Sequence, residues 1–271
     1  MSSQPALSTS VTAETSPREE TAKMRSTQSL FRRSNTRPFR VFVEEISRLD
    51  GTLIDQFDPV EGQTPLHLAL LVTAISRWET VRNWEEIIDV LLSARADTFR
   101  ADNAGNNCLH FLAPGLDKGA THRKRFQRFL DIGLDINAAN AKGETHAFHY
   151  LRQAQRDQNA AWQWLLDCGA QPIVKDSRGR GLLHVVAKHE IDVVLFAKLP
   201  EKWGLDPPAT DNERMMSSLD VAAAFSNSSV MSLFEKGEGS VLVEKARATM
   251  KALRKRGSYY HYYDDDEDDD W

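Results

Sequence analysis

The hydrophobic positions of this chain recur in short groups at helical spacing, each preceded by a turn. The first group, Gly62 to Ala69, places a threonine before the helix and a proline at its first position. The hydroxyl of Thr64 can accept an unpaired backbone N–H there, and proline at a helix start loses no hydrogen bond. Leu66 and Ala69 fall on one helical face, where the small alanine lets a neighbouring helix approach. The segment therefore predicts the start of a helix that packs against another helix.

This helix start recurs four more times along the chain. The later versions begin at Gly105, Gly143, Gly179 and Met215, so the repeat lengths counted from Gly62 are 43, 38, 36 and 36 residues. A period of this size indicates stacked supersecondary units, because each unit alone leaves an apolar face uncovered. The positions that we expect in the shared core are Leu66, Leu91, Leu109, Leu130, Leu165, Leu183, Val194 and Leu219.

A second helical pattern follows three of these starts. The segments Val90–Asp97, Phe129–Asn137 and Trp164–Ala170 each carry apolar pairs and then a polar exit. Gly133 and Gly169 stand where helices commonly end in a left-handed residue. Together with the Thr-Pro-Leu-His start, this arrangement resembles the ankyrin-repeat family, whose unit is a turn plus two antiparallel helices of about 33 residues.

The resemblance covers roughly residues 39–236 and implies an all-α fold, a helix-turn-helix solenoid of about five degenerate repeats. Because every repeat is longer than the family's unit, we expect extra residues around 72–83 and 114–122, between the helices, and around 200–210, after a second helix. Repeat three has His146 in place of the proline and its histidine displaced to His149, so its start is the least regular.

Composition divides the chain into five segments. Residues 1–37 are rich in serine and threonine and lack hydrophobic periodicity, so they cannot bury enough apolar surface to offset the entropy of ordering and are predicted to be disordered. Residues 38–57 are predicted to form an N-terminal capping half-repeat, 58–236 the repeats, and 240–256 a C-terminal helix. Residues 257–271 are an aromatic and acidic tail, which its like charges keep solvated.

Charge and cysteine content suggest the compartment. The formal net charge of −5 is uneven, because Asp264–Asp270 contributes seven negative charges and leaves the remainder at +2. No apolar run approaches the ~18 residues of a membrane span, and the N-terminus has no apolar signal region. We expect no membrane contact, free thiols at Cys108 and Cys168 in preference to a disulfide, and a cytoplasmic or nuclear location.

Candidate catalytic chemistry is sparse. His67, His110 and His184 lie at the same place in separate repeats, which favours structural histidines that bond within their own turns. His146 and His149 are three residues apart, but no third ligand lies at zinc-like spacing. The chain has no nucleotide-binding glycine loop, no nucleophile elbow and no zinc-protease motif. We therefore expect no enzymatic activity, no metal and no cofactor.

A basic patch precedes the apolar part of the second helix in repeat two. It consists of Lys118, Arg123, Lys124, Arg125 and Arg128. Cations at a helix start oppose the helix dipole, so the patch either is a solvated loop or binds an acidic partner, for which the chain's own Asp264–Asp270 is a candidate. A second basic run, 251–256, fits a nuclear-import or nucleic-acid contact, or simply the favoured charge at a helix end. Nucleic acid is the less favoured partner because the acidic tail adjoins this run.

The resemblance implies partner binding without chemistry, through turn tips and a concave helix face. The protein is therefore expected to be a scaffold or adaptor, and mixed charges at its tips favour electrostatic complementarity over an apolar groove. Two alternatives stay open: a chromatin- or nucleic-acid-associated factor, and a regulatory or inhibitory subunit of an enzyme. The residues that the resemblance places at the tips are Arg100, Asp102, Asn103, Asn140, Lys142, Lys175, Asp176, Arg178, Asp211 and Asn212.

Overall fold

The computed structural model describes residues 54–55, 57, 60–75, 81–153, 158–188, 197, 199–200, 202, 204–210, 215–235 and 239–255. The helices in this part of the chain, in order, are α1 Pro65–Ile75, α2 Val81–Ser93, α3 Cys108–Leu112, a 3₁₀-helix Ala113–Lys118, α4 Ala120–Ile132, α5 His146–Gln153, α6 Gln158–Asp167, α7 Leu182–Lys188, α8 Ser218–Ala224, α9 Ser228–Leu233 and α10 Gly239–Lys255. The described residues form no β-strand beyond isolated antiparallel bridges, so the prediction of an all-α fold is confirmed.

The helices form two rows. The first helices of successive units, α1, α3, α5, α7 and α8, contact each other in that order, while α2, α4 and α9 pack against the first helices of their own units. Each unit thus covers the apolar face of its neighbour, as a stacked repeat requires. The leucines predicted for the core are buried, apart from the half-buried Leu130. Val194 lies outside the described residues.

Three helix starts have side-chain caps, including the one predicted at Thr64. Thr64 Oγ1 accepts the backbone N–H of His67 at 3.3 Å, and Asn107 Oδ1 accepts the N–H of Leu109 at 3.0 Å. Ser217 forms a reciprocal capping box with Asp220, whose carboxylate accepts the Ser217 N–H at 2.9 Å. Asp220 therefore accepts the turn's backbone N–H in the last unit, as a histidine does in units one, two and four.

Three histidines each connect their own unit to the following unit. In His67, His110 and His184, Nδ1 accepts a backbone N–H three residues earlier, at 3.1–3.2 Å. The opposite nitrogen, Nε2, donates at 3.1 Å to a carbonyl of the following unit, and these carbonyls belong to Arg100, Glu144 and Met216. The predicted bond within the turn is confirmed, and the bond to the next unit adds a tie that positions the following turn.

Repeat three departs from this pattern, as its sequence indicated. Phe148 occupies the place of the connecting histidine, three residues after Thr145, and is fully buried. The ring of His146 instead donates from Nδ1 to the carbonyl of Ile136 at 2.7 Å. His149, one turn along α5, is also buried.

The extra residues of repeat two form the 3₁₀-helix and the first turn of α4. His122 Nε2 donates to the carbonyl of Thr73 at 3.1 Å, and the Lys118 ammonium donates to that of Ala74. Both carbonyls lie in the last turn of α1, where helix carbonyls lack partners within the helix. The insertion therefore caps the preceding unit.

The stack ends with α10, which spans 239–255 where 240–256 was expected. Val243, Ala246 and Met250 are buried on the face of α10 that packs on α8. The predicted segments 1–37 and 257–271, and all of 38–57 except residues 54–55 and 57, lie outside the described residues.

Candidate partner-binding surface

Each of three successive turns is organised by one buried side chain. Asp102, Asn140 and Asp176 occupy the same place, and each is at most 9% exposed. Asp102 Oδ1 accepts the N–H of Asn106 at 2.7 Å, and Asn140 Oδ1 accepts that of Glu144 at 3.0 Å. Such bonds from a short side chain to nearby backbone shape a turn locally. These three residues were predicted to contact a partner, but their side chains face inward and hold the turn, so they leave little area exposed for such a contact.

The turns are joined to one another through their backbones. One N–H···O=C bond of 2.8–2.9 Å connects each turn to the next: Asn103 to Glu61, Ala141 to Ala104, and Ser177 to Lys142, the donor named first. A row of turns tied in this way presents its exposed side chains at fixed spacing. Fixed spacing lowers the ordering cost that a partner must overcome on binding.

The close approach of the turns depends on glycine. Gly105 and Gly143 have φ values of +80° and +76°, which side-chain-bearing residues rarely adopt. A Cβ atom at Gly143 would lie 2.8 Å from the backbone nitrogen of Ser177, and one at Gly105 would lie 2.7 Å from that of Ala141. Only glycine therefore allows the next turn to come so near.

The remaining described tip residues face solvent to different degrees. Asn103, Lys142 and Lys175 are exposed, whereas Arg100 and Arg178 are half-buried. The guanidinium of Arg100 stacks 4.2 Å above the ring centroid of Phe57, a cation–π contact. Asp211 and Asn212 lie outside the described residues.

Exposed apolar side chains at the turns were missed from the sequence. Phe99 and Ile173 stand at the same position in their repeats, six residues before Gly105 and Gly179, and are 62% and 71% exposed. Large apolar residues in polar connections are candidate contact anchors, because aromatic and aliphatic side chains often dominate binding energy. Their signal in the sequence was an apolar residue inside an otherwise polar turn.

A buried ionic cluster joins the turns of units three and four. The side chain of Glu144 is 1% exposed, and each of its carboxylate oxygens accepts a hydrogen bond from Arg152. Arg180 Nη2 lies 3.6 Å from Glu144 Oε1. Arg180 Nε also donates to Asp176 Oδ2 at 2.7 Å. Buried carboxylates are stable only when paired in this way. Glu144 and Arg152 are eight residues apart, a spacing that predicts no contact in a sequence.

This cluster makes the outer face of these two turns basic. Glu144 and Asp176, the carboxylates of the segments 140–144 and 175–181, are both buried beneath guanidinium groups. Among the charged side chains of these segments, Lys142 and Lys175 are exposed and Arg178 and Arg180 are half-buried. Positive charge therefore dominates the outer face of these two turns, whereas the preceding tip, Asp102–Asn106, contains no basic residue.

The basic patch 118–128 is largely used within the fold. Arg125 is buried and pairs with Glu85, and Arg128 pairs with Asp89. Both acids lie on α2, so the cations connect α4 to the preceding unit. Because α4 begins at Ala120, Arg125 and Arg128 lie beyond its first turn, where the helix dipole no longer disfavours a cation. Lys118 caps α1, as described above. Lys124 is exposed and Arg123 is half-buried.

Burial keeps His67 and His110 neutral. Burial lowers the pKa of His67 and of His110 to about 4. It lowers the pKa of His146 and His149 well below the usual range as well, and His110 nearby adds to this effect. No three His, Cys, Asp or Glu side chains among the described residues are grouped so that they could hold a metal ion.

Cys108 and Cys168 are free, and burial raises the pKa of both thiols, so neither is an activated nucleophile. Within the described ranges, the helices are too short or too polar to cross a membrane.

Comparison with known proteins gives a partial likeness. No protein-family model matches this sequence. A stretch of 104 residues, 37% of the chain, is 34% identical to ankyrin repeat and SOCS box protein 6 of Mus musculus, and the Homo sapiens protein of that name matches to the same extent. The matched stretch covers 21% of the length of these relatives.

Proposed function

We propose that this chain is an ankyrin-repeat module that binds a protein partner and carries out no chemistry of its own. The observation that supports it best is the row of four turns, each tied to the next by one backbone hydrogen bond. Such a row is a rigid, preorganised surface, which is the property that a recognition module needs. The partial likeness to proteins named for ankyrin repeats supports the same conclusion. The binding face consists of the turn tips and the adjoining face of the first helices.

The contact energy on this surface comes from a few residues. Phe99 and Ile173 supply apolar area that the folded turns leave exposed. Burying an aliphatic or aromatic side chain contributes roughly 1.5–3 kcal/mol, so two such anchors account for a substantial share of a micromolar affinity. Around them, Lys142 and Lys175 favour a partner with carboxylates opposite units three and four.

Affinity purification with matched variants tests this proposal. The full chain and a Lys142→Glu, Lys175→Glu double variant are used as baits, and bound proteins are quantified by mass spectrometry. The control is Lys124→Glu with Lys245→Glu, which makes the same charge change at exposed positions on α4 and α10. We expect specific partners to be lost with the tip variant and retained with the control. Equal retention by all three baits argues against the tip surface.

A second pair of variants tests the apolar anchors. Phe99→Ala with Ile173→Ala should weaken binding to the purified partner at least tenfold, because both side chains contact the partner in this proposal. The control, Leu233→Ala with Val241→Ala, removes exposed apolar side chains far from the turns. Thermal unfolding should change little for either pair, since exposed substitutions typically alter stability by about 0.5 kcal/mol or less. Unchanged affinity in the anchor variant would contradict the assignment.

The two alternative roles have separate tests. A nucleic-acid-binding factor requires basic side chains available to phosphates, yet Arg125 and Arg128 already pair with acids of α2. Steep salt dependence of DNA binding would favour that role over ours. A regulatory subunit would change the activity of an enzyme found among the captured proteins. Free cysteines fit a reducing compartment, so we place the protein in the cytoplasm or nucleus.

A further inference from the structure

A groove lies at the C-terminal end of the stack, between α8, α9 and α10. Its volume is about 640 Å³, which is large enough for several side chains of a peptide. Ala223, Met231 and Met250 form its apolar part. Methionine side chains adapt to different shapes and are frequent at surfaces that bind peptides.

The rim of this groove is basic. Arg247, Lys251 and Lys255 line it from α10. These residues are four apart, so they lie along one face of the helix. Arg247 donates to Glu235 at 2.7 Å in an exposed pair, while Lys251 and Lys255 extend the positive edge toward the end of the helix. The groove therefore fits a ligand that combines apolar rings with negative charge.

We propose that the chain's own segment 258–271 docks in this groove. This segment lies outside the described residues, and its sequence has the required chemistry: four tyrosines in Tyr259–Tyr263 and seven acidic residues in Asp264–Asp270. In the docked form the tyrosines lie against the methionines and the acidic side chains follow the basic rim. This contact is independent of the partner-binding surface at the turns.

Chain length permits this arrangement. The rim from Lys255 back to Arg247 spans eight residues of helix, about 12 Å. The nine residues from Lys255 to Asp264 reach up to about 30 Å when extended. A short linker also gives the tail a millimolar effective concentration at the groove, so weak individual contacts suffice.

The groove suits the tail better than the basic patch on α4, which was the partner first considered. In that patch Arg125 and Arg128 are paired with Glu85 and Asp89, so an incoming carboxylate would have to displace an existing partner. At the groove, the ion pair seen within the described residues is that of Arg247 with Glu235, and both of these side chains are exposed. The groove also begins where the tail leaves α10, whereas α4 lies three units away.

Methyl NMR of the full-length protein tests the proposal. With ¹³C-methyl methionine, Met231 and Met250 report on the groove and Met215, which is exposed in another turn, is an internal control. The tail is altered in place by changing its six aspartates to asparagine and Glu267 to glutamine, or its four tyrosines to serine. We expect both tail variants to shift the Met231 and Met250 signals and to leave Met215 unchanged. Identical groove signals in all three proteins would overturn the proposal.

Charge variants of α10 locate the contact. Lys251→Glu with Lys255→Glu should reproduce the shifts seen for the neutral tail, because it removes the basic rim. The control, Lys245→Glu, changes an exposed charge of α10 that does not line the groove and should have no such effect. If Lys124→Glu releases the tail and the rim variant does not, the tail binds α4 and the groove assignment is wrong. If the shifts grow with protein concentration over a tenfold range, the tail binds a second copy, which also contradicts docking within one chain.

Discussion

Replacing Gly143 by alanine is the sharpest test of the row of turns. Gly143 has φ +76°, and its new Cβ would lie 2.8 Å from the backbone nitrogen of Ser177. Real Cβ atoms essentially never come this close to another heavy atom. The obstructing atom belongs to the backbone, so no side-chain rotation relieves the overlap. The turn of unit four must move away, and the 2.8 Å hydrogen bond from Ser177 to the Lys142 carbonyl is lost.

Gly169 provides the matched control, because it separates the clash from the backbone strain. Its φ is +97°, also in the left-handed region, but a Cβ there would meet nothing within 4 Å. An L-residue in this region costs about 1–2 kcal/mol, and this cost is common to both variants. Gly143→Ala adds a lost hydrogen bond of about 1 kcal/mol and the strain of displacing the turn. We therefore expect a loss of about 1–2 kcal/mol for Gly169→Ala and about 3 kcal/mol or more for Gly143→Ala.

Equilibrium urea unfolding of both full-length variants measures this difference. Native-state hydrogen exchange adds a local readout: the Ser177 amide should lose protection in Gly143→Ala and keep it in Gly169→Ala. Equal destabilisation, together with a protected Ser177 amide in both, would show that the turns are not coupled through this contact. The rigid surface on which the proposed function depends would then lack its physical basis.

Three further outcomes are expected. First, the free energy of unfolding should fall as pH drops from about 6.5 to 4, by about 3 kcal/mol for each of His67 and His110, because their pKa is near 4 in the folded protein and they bind protons more readily when unfolded. Urea unfolding of a His110→Gln variant should show a shallower fall with pH, and equal slopes for variant and parent would contradict this. Second, Arg152→Met should lower the free energy of unfolding by about 3 kcal/mol, because it leaves the buried carboxylate of Glu144 without its main partner. Adding Glu144→Gln should recover part of that loss, and no recovery in thermal unfolding would show that packing, and not charge, is responsible. Third, Leu165→Ala should cost about 2–5 kcal/mol because the side chain is fully buried, while Leu233→Ala, at an exposed leucine, should cost about 0.5 kcal/mol or less in the same denaturation assay.

The local and periodic features of the fold were readable from the sequence alone. Thr64 and Asn107 cap helices because their own side-chain oxygens reach the backbone two or three residues away, a distance that sequence spacing fixes. Gly133 and Gly169 end helices with positive φ for an equally local reason. The repeated leucines are buried because helical periodicity places them on one face, and stacking covers that face.

The candidate partner-binding surface was not readable from the sequence, because it depends on which way the tip side chains point and on which charges meet between units. Asp102 reads as an exposed tip residue, and only the folded turn shows that it points inward to the Asn106 backbone. The pairing of Arg125 with Glu85 links residues 40 positions apart, across insertions whose length hides how the helices rotate against each other. Sequence spacing determined what each unit is, because caps and periodicity act within a few residues. Tertiary structure alone decided which charges meet between units, since that depends on the offset and rotation of one helix pair against the next.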